Sequence, residues 1–167
     1  YIRHRREKHC NFENRTQKRN LSLIMITYLK NVYHYLLAWL GIVIFWFPSR
    51  RIFVLGVTGT KGKTTTCHLM AQLLEAFGGN VGMTSSVRFR IGKQERVNDT
   101  KQGMPGRFKL QKLLREMVRN RCEYAVIETT SEGMMQYRHR FIDYNMAVFT
   151  NLSPEHIERH GGFEKYR

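Results

Sequence analysis

I-F-V-L-G-V-T-G-T-K-G-K-T-T-T, residues 52–66, joins a short apolar run to a glycine-rich turn and then to the start of an amphipathic segment. Ile52–Val57 has the composition of a strand buried on both faces. Thr64–Phe77 places Cys67, Met70, Leu73 or Leu74, and Phe77 at helical spacing before Gly78-Gly79 supplies a stop. Between them, a glycine-rich turn lets consecutive backbone N–H groups point at one anion, while the helix N-terminus adds its partial positive charge. The spacing predicts that Lys63 reaches the β- and γ-phosphates of ATP and that the Thr64 hydroxyl ligates Mg²⁺. Val57 stands where the general G-x-x-x-x-G-K-[ST] form has its first glycine, but the strand before and the helix after supply the context that the motif requires.

Working outward, Val81–Val87 reads as the next strand and Arg107–Arg119 as a helix through Phe108, Leu113 or Leu114, and Met117. Buried-type strands follow at Tyr124–Glu128 and Met146–Thr150. Strands alternating with helices predict an α/β fold with a parallel sheet and a phosphate-binding loop at its edge. Glu128 ends a buried strand, where an unpaired carboxylate costs several kcal/mol. It either faces a cation at the C-terminal edge of the sheet, where the phosphate loop also opens, or turns to water. His156 and His160, four apart, could share a helical face as metal ligands do, although such pairs are more often surface residues. Gln136 and Arg138 suit an anionic substrate, or belong to a solvated basic loop.

Upstream the pattern changes. The formal net charge is +15, and Arg3, Arg5, Arg6, Lys8, Arg15, Lys18 and Arg19 face only Glu7 and Glu13 in the first twenty residues. With no apolar periodicity, residues 1–24 read as a basic, disordered tail, and no nucleic-acid partner is assigned to it. Residues 25–50 carry an apolar run, uninterrupted over 35–47, which is short of the ~20 residues that cross a bilayer. Trp39 and Trp46, with Lys30, Arg50 and Arg51 flanking, suit peripheral membrane contact through 29–47; packing on the following domain is the alternative. Pro48 ends the run. Cys10, Cys67 and Cys122 show neither disulfide-framework nor zinc spacing, which fits a cytoplasmic protein, at the inner face of the membrane if 29–47 binds there. A chain of 167 residues builds one ordinary domain, here 51–167.

The variant G-T-K-G-K-T-T at 59–65 resembles the phosphate loop of the Mur ligases, the ATP-dependent amide-bond synthetases of peptidoglycan precursor assembly. E-T-T-S-E-G-M-M-Q-Y-R at 128–138 and A-V-F-T-N-L-S-P-E-H-I-E-R-H-G at 147–161 are similar to segments of the UDP-N-acetylmuramoyl-tripeptide synthases within that family. The resemblance implies a central ATP-binding domain using ATP and Mg²⁺. Gly59, Thr60, Lys61, Gly62, Lys63, Thr64, Thr65 and Asn151 would lie at the nucleotide, and Thr64, Glu128 and His156 at metal. Thr130, Ser131, Gln136 and Arg138 would grip a UDP-N-acetylmuramoyl-peptide, to which an amino acid is joined. Catalysis would fall to Lys63, Glu128 and His156.

Lys61, Glu132 and Glu155 depart from the family pattern, as does N-D-T-K-Q-G-M-P-G at 98–106, where the family has a T-T-P substrate segment. No UDP-binding domain precedes Ile52, and the family's carboxylated lysine and amino-acid-binding domain lie beyond Arg167. The expectation is therefore a fragment that does not complete catalysis alone. The competing expectations are a folylpolyglutamate or cyanophycin-type synthetase and a non-catalytic, membrane-associated ATP-binding module.

Overall fold

A computed structural model describes residues 25, 26, 28–100, 102–154 and 161–167. The basic segment 1–24 lies outside the described residues. The chain divides into two units, residues 1–36 and 37–167. In the first, residues 28–36 are helical.

The second unit begins with helical residues 37–45 (α1). Ala38, Gly41 and Ile42 are buried, and Phe45 meets Phe108 edge-on at 6.4 Å between ring centroids. Trp39, Leu40, Val43 and Ile44 on the other side are exposed. Packing on the following domain is thus observed for one face of this helix. The helix stops at 45, short of the expected 50, because Trp46 (φ 59°) and Phe47 (φ 50°) turn left-handed and Pro48 opens a 3₁₀ turn, Pro48–Arg51. The Phe47 N–H returns to Ile42 O at 3.1 Å, satisfying a terminal carbonyl. Among the described residues no helix is long and apolar enough to cross a membrane.

Six strands follow: β1 (Phe53–Thr58), β2 (Val81–Thr84), β3 (Arg88–Ile91), β4 (Gln94–Val97), β5 (Tyr124–Glu128) and β6 (Met146–Phe149), in the order β4-β3-β2-β5-β1-β6. The helices are α2 (Lys63–Ala76), α3 (Arg107–Arg119), α4 (Ser131–Met135) and α5 (Phe163–Tyr166). β2, β5, β1 and β6 run parallel, with Leu55 opposite Val126 on one side and Met146 on the other. The expectation of a wholly parallel sheet needs correction, because β3 and β4 are an antiparallel ribbon on β2. The expected strand Val81–Val87 breaks at Thr84, where the Ser85 hydroxyl donates to Arg88 O (3.0 Å) and accepts from the Arg88 N–H (3.2 Å), turning the chain back. All four residues of β4 are exposed, so no apolar alternation marked it.

Each central strand serves two cores, which is why its sequence reads as continuously apolar. Val54, Ala125 and Ile127 point to the α3 side, among Leu110, Leu113, Leu114 and Met117. Leu55, Val57 and Val126 point to the α2 side, among Cys67, Ala71, Val81 and Met83. On α2 the buried stripe is Cys67 and Ala71, joined by half-buried Met70 and Leu74; Leu73 and Phe77 are exposed, so of the two leucines Leu74 faces the core. Cys67 and Cys122 are free and buried.

Candidate functional site

The parallel strands end at one edge, and their C-terminal extensions carry the site. β1 passes into residues 59–62 and then α2. Gly59 (φ 132°) packs so closely that a Cβ there would stand 2.2 Å from Thr150 Oγ1 and 2.9 Å from Asn151 O; Gly62, left-handed at φ 79°, faces open space. The loop is clamped from the β6 side. The Asn151 amide accepts from the Lys61 N–H (2.9 Å) and donates to Lys61 O (3.0 Å), while the Thr60 N–H donates to Asn151 O (2.9 Å). The structure therefore sets the Asn151 side chain against the loop backbone that it shapes. The Lys63 ammonium donates to Gly59 O (2.8 Å) and Thr60 O (2.7 Å), lying across the loop. Thr65 is exposed on the first turn of α2.

Glu128, 3% exposed at the end of β5, meets this helix start. Its Oε2 accepts from the Thr64 hydroxyl (3.0 Å) and the Ser86 N–H (2.8 Å), and Ser86 Oγ is 2.9 Å from Thr64 Oγ1. The Thr64 hydroxyl has one proton, so with that proton on Glu128 the Ser86 hydroxyl is the donor to Thr64. Among the described residues no Lys or Arg forms an ion pair with Glu128. A carboxylate and two hydroxyls fit Mg²⁺, a hard cation that takes oxygen ligands and commonly binds through one or two carboxylates plus phosphate. Among the described residues there is no group of three or more His, Cys, Asp or Glu of the kind that zinc prefers. Burial, reinforced by Glu128, pushes the nearby Cys67 thiol up, leaving it an inert core residue.

A cleft of ≈ 330 Å³ joins the loop to the residues expected to hold substrate: Gly59, Thr60 and Lys63 line one side, and Thr130, Ser131, Glu132, Gln136 and Arg138 the other. Thr130 caps α4, its hydroxyl accepting from the Gly133 N–H at 3.1 Å. Arg138 donates twice to Gln136 Oε1 (3.1 and 2.7 Å), to Gln102 Oε1 (2.6 Å) and to Met104 O. Burial pulls its guanidinium below the ordinary arginine value.

Sequence reasoning missed Ser86, whose only signal is a place just after a strand end, and Gly103, a Cβ on which would stand 2.6 Å from Glu128 Oε1. It also missed Tyr166, whose hydroxyl is 3.0 Å from Thr60 Oγ1. Glu155, His156 and His160 lie outside the described residues.

Residues 57–167 match the Mur ligase middle domain. The chain is 42% identical over 133 residues to a UDP-N-acetylmuramyl-tripeptide synthetase of Roseiflexus sp. (strain RS-1), covering 78% of this chain and 26% of that relative. A relative of the same description from Treponema pallidum (strain Nichols) is 42% identical over 123 residues, covering 72% and 23%. Among solved structures, a UDP-N-acetylmuramoyl-L-alanyl-D-glutamate–2,6-diaminopimelate ligase superposes with a TM-score of 0.61 at 28% identity, covering 69% of this chain and 23% of that one. The chain thus spans about a quarter of the length of the curated relatives it matches.

Proposed function

This chain belongs to the Mur ligase family, and from that premise we propose that it is the ATP-binding portion of a ligase that adds an amino acid to a UDP-N-acetylmuramoyl-peptide in peptidoglycan assembly. The observation that carries the reading is the meeting of Thr64, Glu128 and Ser86 at the foot of the phosphate loop, within a cleft that continues to Arg138. A carboxylate is a poor electrophile. The proposed reaction therefore moves the γ-phosphoryl of ATP onto the substrate carboxylate, breaking the bond to ADP and forming an acyl phosphate. The incoming amine then attacks the acyl carbon, phosphate leaves with the bonding pair, and the amine loses a proton.

Phosphoryl transfer asks chiefly for positioning and charge neutralisation. The N–H groups of residues 62–64, at the N-terminus of α2, cradle phosphate oxygens, those of Thr60 and Lys61 being given to Asn151. Lys63, exchanging its two carbonyl partners for phosphate, spreads the charge that develops on the γ-phosphoryl. Thr64, Glu128 and Ser86 would hold Mg²⁺, which would supply charge neutralisation at the phosphate oxygens. His156 is assigned to a second metal by resemblance alone.

In the intact ligase of which this chain is the proposed ATP-binding portion, ATP turnover that depends jointly on a UDP-N-acetylmuramoyl-dipeptide and a diamino acid is the expected result. Turnover stimulated equally by a folate substrate would transfer the chain to the folylpolyglutamate reading.

The exposed face of α1, with Trp39, Leu40, Val43 and Ile44, and Trp46 just beyond, favours an additional property: peripheral contact with an anionic bilayer through 29–47. Trp39→Ser combined with Ile44→Ser is expected to reduce sedimentation with vesicles containing phosphatidylglycerol. Undiminished sedimentation would remove that property.

A further inference from the structure

α3 is a strongly basic helix, with Arg107, Lys109, Lys112, Arg115 and Arg119 against a single acid, Glu116. Part of that charge is matched within the fold. Glu116 is taken by Arg96 of β4 at 2.7 Å, Lys109 pairs with Asp99, and Arg107 donates to Gln136 O. Lys112, Arg115 and Arg119 form no ion pair among the described residues. Lys112 and Arg119 are exposed and Arg115 is half-buried. Their spacing of three and four puts all three on one face of the helix, where like charges repel. The fold gives these cations no counter-charge, so the stripe calls for an anion from outside.

The same face begins at Phe108, four residues before Lys112, and Phe108 is where α1 lands. A Cβ on Gly41 of α1 would stand 3.6 Å from Gln111 Cγ and 4.0 Å from Phe108 Cα, and Phe45 meets the Phe108 ring. A groove of ≈ 600 Å³ runs between α1, α3 and β4, with Phe45, Val97, Phe108 and Leu113 as its apolar wall and Lys109 and Lys112 at its rim. Trp39, Leu40, Val43 and Ile44 cover the opposite face of α1 and are exposed. Packed helices lie about 8–10 Å apart, and the headgroup layer is roughly 5–8 Å deep on each side of a bilayer. With the outer face of α1 in the acyl boundary, α3 behind it therefore lies at the phosphates, which the long Lys and Arg stems reach. We propose that Lys112, Arg115 and Arg119 form a binding surface for the headgroups of anionic phospholipid, seating this face of the chain on a negatively charged bilayer. The proposal rests on the bilayer contact suggested above for 29–47, which sets the depth of α3, and adds the residues that select negative lipid. A nucleic acid, the other polyanion that a basic stripe suits, has no use for the adjoining apolar face.

Partition of the chain onto vesicles of phosphatidylcholine alone, and of an equimolar mixture with phosphatidylglycerol, tests the surface. Each cation near an anionic membrane is worth about fivefold in affinity, so Lys112→Gln combined with Arg115→Gln and Arg119→Gln is expected to weaken binding to the mixture by ~100-fold. Binding to phosphatidylcholine alone should not change. High salt should remove the same increment from wild type. Glutamine is as good a helix former as lysine and arginine, and the substitutions relieve repulsion, so the urea midpoint should stay at or above wild type. Lys112→Arg combined with Arg115→Lys and Arg119→Lys keeps the charge and should bind as wild type does. A triple glutamine variant that binds the mixture as tightly as wild type, or wild type that binds both vesicles alike, would overturn the headgroup surface and leave the α1 contact standing. Trp39→Ser combined with Ile44→Ser tests that contact separately: undiminished binding to both vesicles would remove it, and a weakened triple variant would then leave the cations as the seat. Wild type that binds neither vesicle would overturn both. Weaker binding of the triple variant to a random-sequence DNA duplex, with vesicle binding unchanged, would assign the stripe to nucleic acid and overturn the proposal.

Discussion

Two loops face each other across the cleft, and they are built in different ways. Residues 59–63 form a contiguous turn whose proposed function rests on backbone N–H groups and on one lysine that folds back on carbonyls three and four residues earlier. Residues 98–106 carry no such phosphate-type code; their own Asn98 side chain ties the start of the loop to Ser85 and Gln102, and Arg138, 36 positions beyond Gln102, holds its far end. The first loop is the charged end of the site, clamped by Asn151, and the second lies across the cleft, tied by Asn98 and Arg138. A contiguous backbone motif can be altered in its ligand chemistry without moving the fold, whereas a cover held by side chains loses position when any one of them goes.

The largest effect that separates the two is expected from Lys63→Ala. Removing the loop's ammonium should weaken ATP by ~100-fold, in line with the ~1.5–3 kcal/mol typical of hydrogen bonds to charged groups. The midpoint of thermal unfolding should stay near wild type, because among the described residues the Lys63 ammonium bonds only to its own loop. Retained ATP affinity in a calorimetric titration would break the comparison. Gly59→Ala should instead damage loop and fold together, by ~3 kcal/mol, since a Cβ would press on Thr150 and Asn151 at a φ of 132°. Urea unfolding measures this, and an unchanged midpoint would show that the loop is looser than described. On the opposite side, Asn98→Ala should cost ~2 kcal/mol, chiefly by removing the partner of the buried Ser85 carbonyl. Its ATP affinity in EDTA should match wild type.

The smallest expected effect lies outside both loops. Burial lowers the pKa values of His68 and His139 from the ordinary 6.5, helped by Arg88 and Arg140 respectively. A histidine depressed in the folded state contributes stability that is complete above its unfolded value and is lost as pH falls through its lower folded value. Thermal unfolding midpoints should therefore fall on acidification below about pH 6.5, and His139→Gln should flatten part of that slope. A parallel slope in the variant would remove His139 from the account.

What could be read from the sequence follows the same division. Ile52–Val57, Arg107–Arg119 and Tyr124–Glu128 declare themselves because burial on one or two faces leaves a period in the residues. The glycine-rich loop proposed to bind phosphate declares itself because glycine, lysine and threonine at fixed offsets have few other uses. β4 was hidden because all four of its residues are exposed, and β3 because its buried face consists of only two residues, Phe89 and Ile91, too short a period to declare itself. Ser86 and Gly103 were hidden for a different reason. Each matters only through its distance from Glu128, across 42 residues in the case of Ser86, and no local pattern encodes a distance. Asn151 and Arg138 were found as residues, but their observed hydrogen bonds are to the protein's own loops, a distinction that residue type cannot make.

The central claim is that Thr64, Glu128 and Ser86 form one metal-binding corner of a nucleotide site. Titrating ATP into wild-type protein and Glu128→Gln, each with Mg²⁺ and with EDTA, tests it most directly. The account predicts that Mg²⁺ tightens ATP binding by at least ~10-fold in wild type and hardly at all in Glu128→Gln, with the two proteins equal in EDTA. The same Mg²⁺ enhancement in both, or none in wild type, would contradict it.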